Sequence, residues 1–207
     1  IELPSYSNLA RQALAGLLMI TLGNGLVTWA EVYVPSGVAA IICSFMPVWM
    51  VLVNLTINRS ELPNGLIITG VLTGLGGIVL VFSEHLADFV NTKYQLGILL
   101  IFLSSLGWAL GSVMIKRAGQ KKNPFLNAGL QMFFGGLWCF VLSLFFDDLS
   151  DVHFASTTIF SIGYLSLVGS ITAFMLYTYA LTKLPITIAS LYAYVNPLVA
   201  VVLGWLV

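Results

Sequence analysis

The sequence predicts an all-α integral membrane protein, a multi-pass helical bundle with inverted repeats, and three observations carry that expectation. Of its 207 residues, 59% are apolar and only 8% are charged, whereas a soluble domain carries about 25% charged residues. Long apolar stretches follow one another through the whole chain, with short polar joints between them and a mean hydropathy of +1.00. Two of these stretches, with the turns before them, repeat at an offset of 150 residues.

A hydrocarbon core about 30 Å thick takes roughly 20 residues of helix. The first stretch that qualifies covers 12–33, behind a polar opening from Ile1 to Arg11 that lacks the basic start of a signal peptide. Val34-Pro35-Ser36-Gly37 turns the chain into the second, 36–57, and the joint from Asn58 to Pro63 leads to the third, 64–83. A longer polar joint from Ser83 to Tyr94 precedes the fourth, 95–115, and Lys116 to Pro124 precedes the fifth, 125–146. The sixth, 157–181, follows Asp147 to Ser156, and the seventh, 186–207, follows Lys183-Leu184-Pro185. Gly and Pro mark most of these turns. Seven of an expected ten spans are thus present once the repeat is taken into account.

Eight basic and eight acidic residues give zero net charge. No basic face exists to neutralise phosphates, so nucleic acid is not an expected partner. The charges set an orientation, because Lys and Arg accumulate in short cytoplasmic loops. With the first residues cytoplasmic, Arg11, Arg59, Lys116, Arg117, Lys121, Lys122 and Lys183 all lie inside and only Lys93 lies outside. Glu84, Asp88, Asp147, Asp148 and Asp151 fall on the outer side. Cys43 and Cys139 sit inside apolar runs, where they form neither a disulfide framework nor a set of metal ligands. No metal and no cofactor is expected.

The repeat is the most informative feature. Val34-Pro35-Ser36-Gly37-Val38-Ala39-Ala40-Ile41 aligns with Leu184-Pro185-Ile186-Thr187-Ile188-Ala189-Ser190-Leu191, and Pro47 aligns with Pro197. Leu26/Leu176, Thr28/Thr178, Trp29/Tyr179 and Ala30/Ala180 keep the same register. Five spans separate equivalent points, an odd number, so the second copy enters the membrane in the opposite sense. Inverted repeats of this kind mark transporters with a site near the midplane between the halves. The division falls at 1–90 and 91–207. Two full copies would need about 57 residues before Ile1 and about 33 after Val207.

Gly23-Asn24-Gly25 through Thr28, Ala30-Glu31, Val34-Pro35-Ser36-Gly37, Ser105-Leu106-Gly107-Trp108 with Gly111-Ser112-Val113, Tyr164-Leu165 with Gly169-Ser170, and Ser190 to Pro197 together resemble the EamA family of the drug/metabolite transporter superfamily. The likeness covers nearly the whole chain and is nearest to bacterial inner-membrane permeases. It implies ten helices in two inverted five-helix halves, and export of amino acids and other small metabolites across the plasma membrane. The seven spans would be the third to ninth of that set. The expected partners are a small-molecule substrate and membrane lipid. Were seven helices the whole, a homodimer would be one way to complete the cavity.

Polar groups inside a span face the bundle interior or a water-filled cavity. Asn24, Thr28 and Glu31 stand at i, i+4 and i+7 on one helical face. They read either as a cavity stripe ending in a carboxylate that binds an amine or carries a proton, or as helix contacts with Glu31 reaching the outer interface. Ser105, Trp108 and Ser112 make a second stripe, whose indole suits stacking on a substrate as well as packing. Pro47 and Pro197 fall mid-span, where each removes a backbone hydrogen bond. Breaks at matching places in two halves mark a binding site or hinge, and a static kink is the alternative. Ser44 before Pro47, Tyr194 and Asn196 beside Pro197, and Tyr177 in the sixth span add hydrogen-bonding groups at that depth. The glycines Gly74, Gly76, Gly77, Gly135 and Gly136 read as close helix contacts, and Phe133, Phe134, Phe145 and Phe146 as packing or interface anchors.

Other functions fit less well. An intramembrane hydrolase needs a mid-span Asp pair, Ser–His pair or zinc motif, but His85 and His153 lie in outer loops and no Asp lies mid-span. The chain is not read as an enzyme. A seven-helix receptor or retinal protein fits the raw span count, but a retinal Schiff base needs a mid-membrane lysine, whereas Lys116 and Lys183 lie at span ends, and the 150-residue repeat has no place in such a protein. Within the same fold, a flippase for a lipid-linked metabolite is the alternative to an exporter.

Overall fold

The computed structural model describes residues 5–57, 63–119, 123–146 and 155–206. Arg59, Lys121, Lys122, Asp147, Asp148 and Asp151, which enter the charge argument above, and His153, which enters the argument on hydrolases, lie outside the described residues. Every regular element among those described is helical, so the chain is an all-α membrane bundle. Five helices are long and apolar enough to cross a membrane, and a bent pair makes a sixth when counted as one span.

Helix α1, Tyr6–Ala30, starts six residues before the apolar run. Ser5 caps it, its hydroxyl accepting from the Asn8 amide at 3.4 Å. Hydropathy marks the hydrocarbon slab, and the helix extends beyond it. Its middle, Leu17–Gly25, widens into a π-helix before α geometry returns at Leu26–Ala30. Helix α2, Ser36–Ile57, breaks at Ser44 and Phe45 into Ser36–Cys43 and Met46–Ile57. The break precedes Pro47, which therefore occupies the first turn of the second piece and not a helix interior, as the sequence suggested. That turn's N–H groups have no intrahelical partner in any helix, so the proline removes little.

Helix α3, Gly65–Val81, has 17 residues, capped by Asn64 accepting from the Ile67 amide at 2.9 Å. The joint after it is itself ordered: Ser83–Val90 forms a 3-10 helix bent by 86° from α3. There His85 Nδ1 lies 3.1 Å from Asp88 Oδ2, and the imidazole packs on Gly37 at the start of α2. Helix α4, Gln95–Ala118, ends at Gly119, whose φ of +58° needs a glycine. Helix α5 is Pro124–Phe146, with proline at the first position, where a missing N–H is harmless.

Helix α6, Ser156–Lys183, again contains a π segment, Leu165–Phe174. Thr172 Oγ1 donates to the Leu167 carbonyl five residues back at 2.9 Å, as that wider turn allows. Helix α7 comes in two pieces, Ile186–Ser190 and Tyr192–Leu206, with Pro197 inside the second. At the 150-residue offset, α1 and α6 begin at Tyr6 and Ser156, and α2 and α7 begin at Ser36 and Ile186. Pro35 and Pro185 precede those starts with extended ψ of 146° and 142°. The two π segments fall at nearly equivalent places.

Helix α4 is the centre of the bundle. Gly107 and Gly111 bring it against Leu18 and Met19 of α1. Ala109 and Val113 pack with Met46, Met50 and Val53 of α2 and with Leu181, Ile186 and Ala189 of α6 and α7. A second cluster, at the Val34 end, joins Ala30, Val38 and Ile42 to Leu100 and Ile101. Lipid tails are as apolar as leucine, so contacts in such a bundle depend on small residues and polar pairs more than on burial. The exposed faces of α5 and α6 carry Phe133, Phe140, Phe160 and Leu167.

Candidate functional site

Tyr177 is the residue around which the polar side chains of the bundle centre gather. It lies on α6 in the first turn after the π segment. Its hydroxyl accepts the indole N–H of Trp108 at 3.2 Å and shares a 2.8 Å hydrogen bond with Ser112 Oγ. Trp108 and Ser112 are one turn apart on α4, so both reach the same point. The Tyr177 ring lies 5.6 Å from that of Trp108 and 5.1 Å from Tyr192 on α7, the latter edge to face. Phe174 adds an edge contact to Trp108 at 6.1 Å.

Both π segments bear on this cluster. A Cβ added at Gly23, in the π segment of α1, would stand 2.8 Å from Trp108 Cε3, so only glycine leaves room for the indole. Ser104 Oγ donates to the Gly23 carbonyl at 2.5 Å and ties α4 to the same point. Phe174 ends the π segment of α6. Trp108 is thus gripped between two widened helical turns, a feature often found at functional sites. The cluster is built of neutral groups. It offers hydroxyl donors and acceptors beside aromatic faces, which suits recognition of a polar small molecule. The buried Trp49 Nε1, packed against the same core cluster, has no hydrogen-bond partner among the described residues.

The sequence-predicted residues separate into groups. Trp108, Ser112 and Tyr177 come together. Tyr194 turns to α3, where its hydroxyl donates to the Val71 carbonyl at 2.8 Å and its ring covers Gly74. Asn24, Thr28 and Glu31 form one exposed stripe toward the Val34 end of α1, with Thr28 Oγ1 bonded to the Asn24 carbonyl at 3.1 Å and Glu31 at the helix C-cap. Ser44 is buried and donates to the Ile41 carbonyl at 2.6 Å, at the break in α2. Asn196 is exposed, while Pro47 and Pro197 are buried.

Three contributors were missed: Tyr192, Ser104 and Trp49. Tyr192 and Tyr194 are two residues apart, about 200° around a helix, so only one of them can face α6. Nearness to Pro197 favoured Tyr194, and nothing in the sequence reveals which of the two faces α6.

This fold, with five apolar helices long enough to cross a membrane and a sixth from the bent pair, defines a multi-pass helical membrane protein. The chain belongs to the EamA-like transporter family, whose sequence model matches residues 95–207. It is 32% identical over 208 residues to the uncharacterized inner membrane transporter YedA of Escherichia coli K12, across 98% of this chain and 64% of that protein. Protein PecM of Dickeya dadantii is 27% identical, across 99% of this chain and 68% of its own length. The chain spans about two thirds of the length of these relatives. A solved crystal structure shares the fold with a TM-score of 0.70 at 17% identity, covering 95% of this chain and 77% of that one.

Proposed function

We propose that the protein works as a secondary transporter that exports small metabolites, amino acids first among them, from the bacterial cytoplasm across the inner membrane. Transport proceeds by alternating access of two inverted repeats, 1–90 and 91–207, around a site centred on Tyr177, Trp108 and Ser112. The observation that carries this reading is the hydroxyl–indole cluster held between π segments at nearly equivalent places in the two repeats. Hinges are assigned to the broken helices, at Ser44 to Pro47 in α2 and Leu191 to Pro197 in α7, because discontinuous helices at matching places are what rocking halves require. The N-terminal end is cytoplasmic, in keeping with the charge distribution. Asn24, Thr28 and Glu31 form the approach from the outer side.

The test is efflux of a panel of radiolabelled amino acids from proteoliposomes. Tyr177→Phe is expected to lose transport for the substrates the wild type moves. Glu31→Gln is expected to change its pH dependence if the carboxylate carries a proton, and to leave it unchanged if the stripe only packs. No efflux across the panel, together with flipping of a lipid-linked metabolite, would replace the exporter by the flippase.

A further inference from the structure

A second concavity lies on another face of α4. Away from the Val34 turn, α1, α2 and α4 border an open cavity of about 430 Å³, lined by Arg11 and Leu18, by Ile57, and by Leu110, Met114 and Arg117. Leu110, Met114 and Arg117 follow one another at i, i+4 and i+7, a face about 200° from that of Trp108 and Ser112. The cavity thus opens on a different face of α4 from Trp108 and Ser112, although Leu110 and Met114 pack against the same core clusters as Trp108, and its reading does not rest on the proposed function.

Two guanidiniums at the mouth of a hydrocarbon-walled cavity are unusual unless something answers their charge. Neither Arg11 nor Arg117 forms an ion pair with another described residue. The described acids are elsewhere: Glu31 caps the far end of α1, and Glu84 and Asp88 flank His85. Arg11 lies in the opening turns of α1 and Arg117 one residue from the end of α4. Lys116 beside it donates to the Leu184 carbonyl at 2.8 Å, which places the turn between α6 and α7 at this same basic end. That depth is where lipid headgroups meet the protein. A guanidinium fork matches phosphate oxygens in bidentate fashion, and Leu18, Leu110 and Met114 present an apolar wall below it.

We propose that this cavity binds an anionic phospholipid, its headgroup phosphate between Arg11 and Arg117 and one acyl chain along Leu18, Leu110 and Met114. Basic pockets between membrane helices are a known way of selecting such headgroups.

Native mass spectrometry of the purified protein in neutral detergent, titrated with phosphatidylglycerol or phosphatidylcholine, tests this. Each arginine near the headgroup contributes about fivefold, so phosphatidylglycerol is expected to bind about thirtyfold more tightly than phosphatidylcholine. Arg11→Gln with Arg117→Gln should abolish that preference, and each single variant should lose about fivefold. Arg11→Lys with Arg117→Lys should keep most of it, and Lys93→Gln, at the opposite end, all of it. The single variants keep the test open where the double variant does not fold, and thermal melting in phosphatidylcholine reports folding for each. A folded Arg11→Gln/Arg117→Gln variant that still prefers phosphatidylglycerol would overturn the proposal. Displacement of phosphatidylglycerol by an equal concentration of benzoate would overturn it too, and would assign the cavity to a soluble organic anion.

Discussion

The Tyr177 hydroxyl on α6 and the Ser112 hydroxyl on α4 stand 2.8 Å apart, and the same tyrosine oxygen takes the Trp108 indole proton. One oxygen thus joins two helices that belong to different parts of the proposed second repeat. Its removal leaves two polar groups without their partner at the bundle centre. Within membranes such bonds average about 0.6 kcal/mol, so Tyr177→Phe is expected to lower stability by roughly 1 kcal/mol for the two bonds. Transport should fall by about tenfold or more if the hydroxyl orients substrate to that degree. Ser112→Ala should cost about half as much stability, since Tyr177 keeps the indole. A double-mutant cycle with thermal melting and proteoliposome efflux separates the two effects. Full transport by Tyr177→Phe would remove this residue from the site.

Glycines divide by what stands in front of them. Gly23→Ala would place a methyl 2.8 Å from Trp108 Cε3, well inside the ~3.5 Å of ordinary carbon contact. The expected cost is about 1–3 kcal/mol, with the indole fluorescence of Trp108 displaced. Gly76→Ala meets no atom within 4 Å and should stabilise α3 by about 0.5–1 kcal/mol through helix propensity alone. Melting temperatures of the two variants in one detergent check the contrast. Equal shifts would mean that propensity, and not the close approach, governs both.

Asn127, Asn8, Gln12 and Gln131 form a ladder of side-chain amides between α1 and α5. Asn8 Nδ2 donates to Asn127 Oδ1 at 3.3 Å, Gln12 Nε2 to Asn8 Oδ1 at 3.0 Å, and Gln131 Nε2 to Gln12 Oε1 at 2.6 Å. Gln12 and Gln131 are buried, so truncating one strands the other. Gln131→Ala is expected to cost about 1–3 kcal/mol, whereas Gln12→Leu with Gln131→Leu should be nearly neutral. Chemical unfolding in mild detergent measures both, and a double variant no better than the single would show that the ladder, not the stranded amide, holds the pair.

How far the sequence reaches is clear from these same residues. Most of the seven expected spans were legible because hydrocarbon solvation demands long apolar runs, five helices or six with the bent pair being long and apolar enough among the described residues, and the 150-residue offset reappears in matched helix starts and in Pro35 and Pro185. Helix ends were less legible: Asn8 fell in the polar opening and Gln12 at the start of the first apolar stretch, and neither was singled out, because only α5, more than a hundred residues away, supplies their partners across the bundle. The π segments left no mark, since an added residue per turn needs no particular side chain. Among the glycines expected at close contacts, Gly74 meets Tyr194 and Gly135 meets Ile20, while Gly76, Gly77 and Gly136 face open space among the described residues. Composition shows where glycine is tolerated, and only the neighbouring helix decides where it is needed. Trp108, Ser112 and Tyr177 were each singled out from local polarity, yet their convergence depends on the crossing of α4 and α6.

The two aligned prolines should behave differently. Pro47 is the second residue of Met46–Ile57, behind a break that Ser44 and Phe45 already make. Its absent N–H belongs to a turn whose donors lack intrahelical partners, so Pro47→Ala is expected to change stability by less than about 0.5 kcal/mol. Pro197 lies inside Tyr192–Leu206, where alanine would restore the hydrogen bond to the Ala193 carbonyl and relieve a ring clash worth up to about 3 kcal/mol. Pro197→Ala should therefore melt higher than wild type. If α7 bends at this point during transport, the same change should slow turnover while leaving substrate binding intact, because the cost falls on motion and not on contact. Efflux rates and equilibrium binding measured on both variants distinguish the cases. A Pro197→Ala protein that melts higher and still turns over at the wild-type rate would make the proline a static bend, and would shift the moving joint of α7 to the break at Leu191.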